Sequence, residues 1–294
     1  MKKFVVGTMI LLISWASVLN QQSPPVGKGI VLELNEEILF PGDILKVTVR
    51  ETEPVKLAWL RFQGNKYAAA RRKERTELLA LIGIDLNQEP GTYALKLSLI
   101  FGDGRRAERE RAITIKPKEF PVEKLWVEEK FVTPPPEVQE RIARESELLK
   151  TVYEIFTPQW LGSGKFIVPT EGEVNSNFGK RRIFNNKPRS PHSGVDISSP
   201  LGTPVNASNS GRVVLATELY FAGQTVIIDH GLGVFSLYLH FSRIMTERGN
   251  FVEKGDVIGE VGATGRVTGP HLHWGVRILD CRVDPLALVR LELN

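Results

Sequence analysis

The chain has 294 residues, 42% hydrophobic and 24% charged, a composition that allows two domains with separate cores and excludes both a disordered polymer and a polytopic membrane protein. Its net charge of +4 suits a mild attraction to polyanions such as the bacterial envelope and is too small to imply nucleic acid. The single cysteine, Cys281, excludes disulfide pairs within the chain and a cysteine-based structural zinc, and reads as a buried apolar residue.

Taken in chain order, residues 1–23 open with Lys2 and Lys3, followed by an apolar run from Phe4 through Ile13 that continues through Trp15 to Leu19 and ends at Asn20-Gln21-Gln22-Ser23. A basic start before a short apolar run is the pattern of a signal peptide. The lack of a clean small-x-small cleavage site keeps a retained N-terminal membrane anchor as the other reading. Either way the bulk of the chain is exported, to the periplasm or cell envelope.

Residues 28–117 alternate as half-buried strands do. Leu45, Val47 and Val49 alternate with Lys46, Thr48 and Arg50, and Tyr93, Leu95, Leu97 and Leu99 repeat the pattern. Pro41-Gly42-Asp43, Glu89-Pro90-Gly91 and Gly102-Asp103-Gly104 supply reversals between them. This predicts a β-sandwich, and the run Pro90-Gly91-Thr92-Tyr93 resembles the approach to a late strand in immunoglobulin-like modules. Residues 118–160 read as a linker and a helix. Prolines crowd Pro117–Pro136 and argue against regular structure there, while Val138, Ile142, Leu149, Val152 and Tyr153 recur at helical spacing behind Pro136, which suits a first helical position. Residues 165–290 carry short β-branched runs such as Thr225-Val226-Ile227-Ile228 and Val234-Phe235-Ser236-Leu237-Tyr238, separated by glycines. An antiparallel β domain follows, and the chain as a whole is predominantly all-β.

All five histidines fall in this last domain. In an extended strand His271 and His273 share a face while Leu272 takes the other, so one imidazole can bind a metal with its neighbour free beside it. His192 and Asp196 are also an even number of residues apart, and an extended segment can aim both at one point. Two nitrogens and a carboxylate, with a fourth position open to water, make the donor set of a hydrolytic zinc. His240 ends the strand containing Tyr238, and if that strand neighbours the one bearing His271 and His273, the histidines share one groove equipped for metal-assisted hydrolysis.

The segments Asn177-Phe178-Gly179-Lys180-Arg181, His192-Ser193-Gly194-Val195-Asp196, Gly211-Arg212-Val213-Val214, Tyr238-Leu239-His240, Val252-Glu253-Lys254-Gly255-Asp256, and Gly262 through His271-Leu272-His273-Trp274 resemble, in this order, the lysostaphin/LytM-type zinc metallopeptidases. The resemblance covers about residues 165–285 and nothing before Lys165. It implies one Zn2+ per chain on His192, Asp196 and His273, with His271 as general base and His240 stabilising the oxyanion or sharing proton transfer. It implies peptidoglycan peptides as substrate, glycine bridges and D-alanyl to diamino-acid cross-links both standing open and the latter favoured. Ser193 after the first ligand and Phe241 after the Tyr-x-His strand depart from the family pattern without touching a ligand. His230 is expected to be structural, capping the turn at Gly231-Leu232-Gly233.

The expected function is therefore a zinc endopeptidase acting on peptidoglycan cross-links, with the N-terminal sandwich as a positioning or regulatory module. The alternative is a catalytically silent envelope adaptor that activates cell-wall amidases. Lys180–Ser190 and Thr217–Gln224 are expected to flank the groove. The basic residues Lys180, Arg181, Arg182, Lys187 and Arg189 either attract substrate carboxylates or form a solvated hairpin.

Overall fold

The computed structural model describes residues 29–72 and 75–293, so the N-terminal leader or anchor lies outside the described residues. Among the described residues no helix is long and apolar enough to cross a membrane. Among the described residues the fold is predominantly β with three helices, as its alternating sequence requires.

Two sheets build the N-terminal part. One orders Val31–Leu34, Ile44–Arg50, Leu78–Gly83 and Ala70–Arg71; the other orders Ile38–Leu39, Arg106–Ile115, Gly91–Phe101, Val55–Phe62 and Asn65–Ala68. The alternating residues point where their period dictates: Leu45, Val47 and Val49 on the first sheet and Leu95 and Leu97 on the second are all fully buried, in one shared core. The Pro41-Gly42-Asp43 reversal places Gly42 at φ +95°. A Cβ at Gly42 would lie 2.5 Å from the Phe178 ring, so glycine is required there by both backbone and close approach.

An antiparallel sheet forms the C-terminal part, in the order Glu173–Asn175, Gly194–Ser198, Leu272–Ile278, Val234–Phe241, Gly223–Asp229, Gly211–Leu219 and Phe251–Val252, with Cys281–Val283 also pairing to Leu272–Ile278. The central strand sorts its residues by period two. Leu272, Trp274, Val276 and Ile278 are fully buried in the main core, at roughly 1.5–3 kcal/mol for each such large apolar side chain. His273, Gly275 and Arg277 take the other face. A slip of one residue would exchange the two sets, so core burial fixes where the histidines point.

Helix Pro136–Tyr153 starts on its proline as expected and lies against this sheet. Val152 joins Val214, Leu215, Leu219, Ile227 and Phe235 in a second apolar cluster, and Arg277 stacks on Tyr153 with its guanidinium 4.2 Å from the ring centre. The helix thus covers one end of the face whose other end carries His273.

The proline-rich stretch is not the structureless connection its composition suggests. Val122–Leu125 forms a strand parallel to Arg181–Phe184, and Glu129–Val132 is a short helix. The strand lies between Pro121 and the Pro134-Pro135-Pro136 run and adds at an edge, the position where a proline-flanked segment can pair. The two parts also meet across a packed seam. Asp85 accepts from the backbone N and the guanidinium of Arg282 (2.9, 3.1 and 2.8 Å), and the Tyr67 hydroxyl lies 3.6 Å from Cys281 Sγ. Cys281 is buried as expected, but against the other domain.

Asp85→Ala should therefore cost about 2 kcal/mol in denaturant unfolding, because it strands a half-buried guanidinium. Glu33→Ala, which breaks the solvent-exposed pair with Arg50, should cost less than about 1 kcal/mol. Equal losses would contradict the assigned seam.

Candidate metal centre

Pairing of Gly194–Ser198 with Leu272–Ile278 sets Asp196 directly opposite His273. His192 stands in the loop just before the first of these strands and turns its ring back toward the same point. His192 Nε2, His273 Nδ1 and Asp196 Oδ1 form a triangle with sides of 2.8, 2.9 and 3.1 Å. Gly194 permits the approach, since a Cβ there would stand 2.4 Å from the Trp274 carbonyl and 2.8 Å from the His273 ring.

His271 is joined to Gly262 by an isolated bridge just ahead of the strand, with Nε2 3.8 Å from Asp196 Oδ1. The alternation expected for His271 and His273 is thus present, and Leu272 is turned into the core. His240 arrives by a different route. The pairing of Gly223–Asp229 with Val234–Phe241 shifts register between Gln224 and Val226, and His240 at this bulge adopts φ +69°, a left-handed conformation rare outside glycine. The bulge re-aims its ring, whose centroid lies 5.0 Å from His271 and 6.1 Å from His273.

Three of the four rings are each oriented by one backbone carbonyl, and His273 is held by Asp196 and His192. His192 Nδ1 donates to Asn177 O (3.1 Å), His240 Nδ1 to Thr264 O (2.8 Å) and His271 Nδ1 to Gly269 O (2.9 Å), which leaves Nε2 of each ring for other partners. Asp196 is held just as firmly: Oδ2 accepts from Asn177 Nδ2 (2.8 Å) and Arg182 Nη2 (3.1 Å), so only Oδ1 faces the histidines. Burial alone would raise the Asp196 carboxyl, but hydrogen bonds and charge from His192 and His273 hold it far below the usual carboxylate range. Burial pushes His273 down to about 4 and His240 to about 3, the latter helped by its two neighbouring histidines. Both rings are accordingly neutral near pH 7.

This donor set fits a divalent cation. At a tetrahedral zinc with bonds of about 2.0–2.1 Å, donor atoms stand about 3.3 Å apart, close to the triangle seen here. Three lone pairs aimed at one point repel one another unless a cation or proton lies between them. A cleft of about 240 Å³ opens beside the three donors, lined by Arg182, Phe184, Arg189, Phe221, Ala222 and Arg266 as well as by His192, His240 and His273.

The segments expected to flank the groove do so, but the basic run divides. Arg182 turns inward to Asp196 and Arg189 lines the cleft, whereas Lys180 pairs with Glu123, Lys187 pairs with Glu129 and Arg181 is exposed. His230 does not cap its turn. It is fully buried, with Nδ1 donating to Ser210 O (2.8 Å) and Nε2 2.7 Å from the Ser236 hydroxyl, and the Asp229 carboxylate caps the turn through Gly231 N (2.8 Å). The shorter aspartate reaches the turn amide, while the ring follows the strand face inward. Asn177 is a site residue that sequence reasoning left without a role, and Arg182, expected at the groove edge, instead orients Asp196. The Asn177-Phe178-Gly179 run was the available signal for the first.

Residues 190–285 match the model of peptidase family M23. The peptidoglycan DD-endopeptidase ShyA of Vibrio cholerae is 42% identical over 111 residues, 37% of this chain and 26% of that protein. The DD-carboxypeptidase/endopeptidase Mpg of Neisseria meningitidis is 44% identical over 97 residues, 33% of this chain and 22% of that protein. The matches thus span only about a quarter of the length of these curated relatives. A crystal structure described as peptidase M23 from Pseudomonas aeruginosa is similar along most of the molecule, at 32% identity, 87% coverage of this chain, 96% of that chain and a TM-score of 0.67. With the centre it contains, the chain belongs to peptidase family M23.

Burial holds the His230 ring at a pKa of about 4, below the 6.5 of an exposed histidine. The unfolded chain therefore takes up the proton first as acid is added: this contribution to stability is intact above about pH 6.5 and is lost as pH falls from there toward 4. Between about pH 7 and pH 5 the loss should be about 2 kcal/mol. Denaturant unfolding of His230→Gln should show a shallower pH dependence than wild type by that amount. Identical slopes would contradict the buried neutral ring.

Proposed function

We propose that the chain is a zinc-dependent endopeptidase that hydrolyses peptide cross-links of bacterial peptidoglycan. The observation that carries this reading is the convergence of His192, Asp196 and His273 on one point, with His240 and His271 beside it and an open cleft in front. The name of the relative ShyA, a peptidoglycan DD-endopeptidase, supports the substrate class, and the D-alanyl to diamino-acid cross-link is the bond we favour.

A zinc ion held by these three residues supplies Lewis acidity to the scissile carbonyl and acidifies water near neutral pH. The remaining steps belong to the side chains. His271 Nε2, with Nδ1 committed to Gly269, accepts a proton from the attacking water and returns it to the leaving amine. His240, fixed by Thr264 and with its ring 5.0 Å from that of His271, offers a second neutral Nε2 as acceptor and shares the proton transfer. Asn177 and Arg182 keep Asp196 in one orientation and spend its second oxygen, so that a single oxygen serves as donor. Export to the periplasm or envelope, by a cleaved or retained segment within residues 1–23, is the location such a substrate requires. The adaptor alternative draws no support from a site in which both auxiliary histidines stand beside a complete donor set.

Purified protein should contain about one zinc per chain and release soluble muropeptides from peptidoglycan. His271→Ala should keep the metal and lose at least about 100-fold in rate, the scale of a general base, while Asp196→Ala should lose the metal as well. Full hydrolysis by His271→Ala, or a metal-free wild type that stimulates an amidase, would overturn the assignment.

A further inference from the structure

Beside the candidate metal centre, three guanidinium groups enter one cleft, and among the described residues only one of them has a carboxylate partner. Arg182, Arg189 and Arg266 line it together with His192, His240 and His273, and no lining residue is acidic. Arg182 is committed to Asp196. Among the described residues, Arg189 donates to backbone carbonyls, those of Val132 and Pro188. Arg266 has no carboxylate partner among the described residues. Its guanidinium carbon instead lies over two aromatic rings, 5.0 Å from the centre of Phe184 and 4.9 Å from that of Phe221. Burial first, and then the charges of Arg182 and Arg189, push Arg266 down to about 10.

A charge in such a place is costly unless something pays for it. The rings pin the guanidinium plane, so little conformational freedom is lost when it takes a ligand, and a planar fork matches a carboxylate through two parallel hydrogen bonds. The cleft opens directly onto the point where His192, Asp196 and His273 converge. Its aromatic walls suit the aliphatic stem of an amino acid whose carboxylate reaches Arg266. We infer that Arg266, aided by Arg189, forms a subsite for a free carboxylate on the peptide substrate adjacent to the scissile bond, and so selects anionic over amidated cross-links. This rests on the endopeptidase reading and narrows its substrate class. Sequence reasoning had included Arg182 and Arg189 among basic residues near the groove; Arg266 joins them only through the folding of the loop before the His271-Leu272-His273 segment.

The test compares two cross-linked peptide dimers that differ only in whether the carboxylates flanking the cross-link are free or converted to carboxamides. Wild-type protein should favour the free dimer by about tenfold or more in kcat/KM, the scale of one charge-assisted hydrogen-bond pair, and mostly through KM. Arg266→Gln should bring that ratio to within about twofold of unity, and Arg266→Lys should retain part of it. Circular dichroism and metal content matching wild type establish that each variant is folded; if Arg266→Gln is not, Arg189→Gln should lower the ratio in its place. A wild-type ratio near one, or an unchanged ratio in folded Arg266→Gln, overturns the subsite. If wild type cleaves neither dimer, the endopeptidase reading falls, and the subsite is then decided by binding: the free dimer should bind about tenfold more tightly by fluorescence anisotropy, and equal affinities overturn it.

Discussion

The geometry of the centre depends on how Asp196 is held. One of its oxygens is taken by Asn177 and Arg182, and the other stands within 3.1 Å of two imidazole nitrogens. A carboxylate free to rotate would offer either oxygen, and the two histidines would lose their common focus. Asn177 fixes both ends of the arrangement, since its carbonyl orients His192 and its side chain bonds the carboxylate and the backbone N of Asp196. The cost of gathering three lone pairs is offset elsewhere, by the buried Leu272, Trp274, Val276 and Ile278 that lock the strand register.

That orientation reaches beyond the domain matched to the family. Arg182 lies between Asp196 and Glu123, 3.7 Å away, and Glu123 also pairs with Lys180 at 2.9 Å. Glu123 belongs to the strand added in parallel by the segment between the two parts of the molecule. The same segment continues into a short helix whose Phe131 packs on Tyr220 at 5.4 Å and whose Lys130 carbonyl accepts from the Tyr220 hydroxyl. Both walls of the cleft are therefore braced by residues outside the peptidase match. The seam at Asp85, Arg282, Tyr67 and Cys281 gives the N-terminal sheets a fixed seat behind the central strand.

Much of the centre was legible in the chain because its signals are local. Period-two alternation places His271 and His273 on one face and Leu272 on the other, and an even spacing relates His192 to Asp196. The alternating Leu45, Val47 and Val49 likewise identify a core-facing strand without help from any other part of the chain. Features that depend on long-range pairing were not legible. Nothing near Val122 announces that it will pair with Arg181, and proline content pointed the other way. The bulge at His240 depends on a mismatch between two strands, which neither strand reveals alone. His230 was misassigned to its turn because the adjacent Asp229 competes for the same amide and reaches it more easily.

X-ray absorption at the zinc edge of the purified protein addresses the central claim most directly. The expected spectrum shows four light-atom neighbours at about 2.0–2.1 Å with two imidazole scattering shells and no sulfur, collapsing to one imidazole in His273→Ala. A wild-type protein that takes up no zinc, or binds it with an imidazole count that His273→Ala leaves unchanged, would contradict the account.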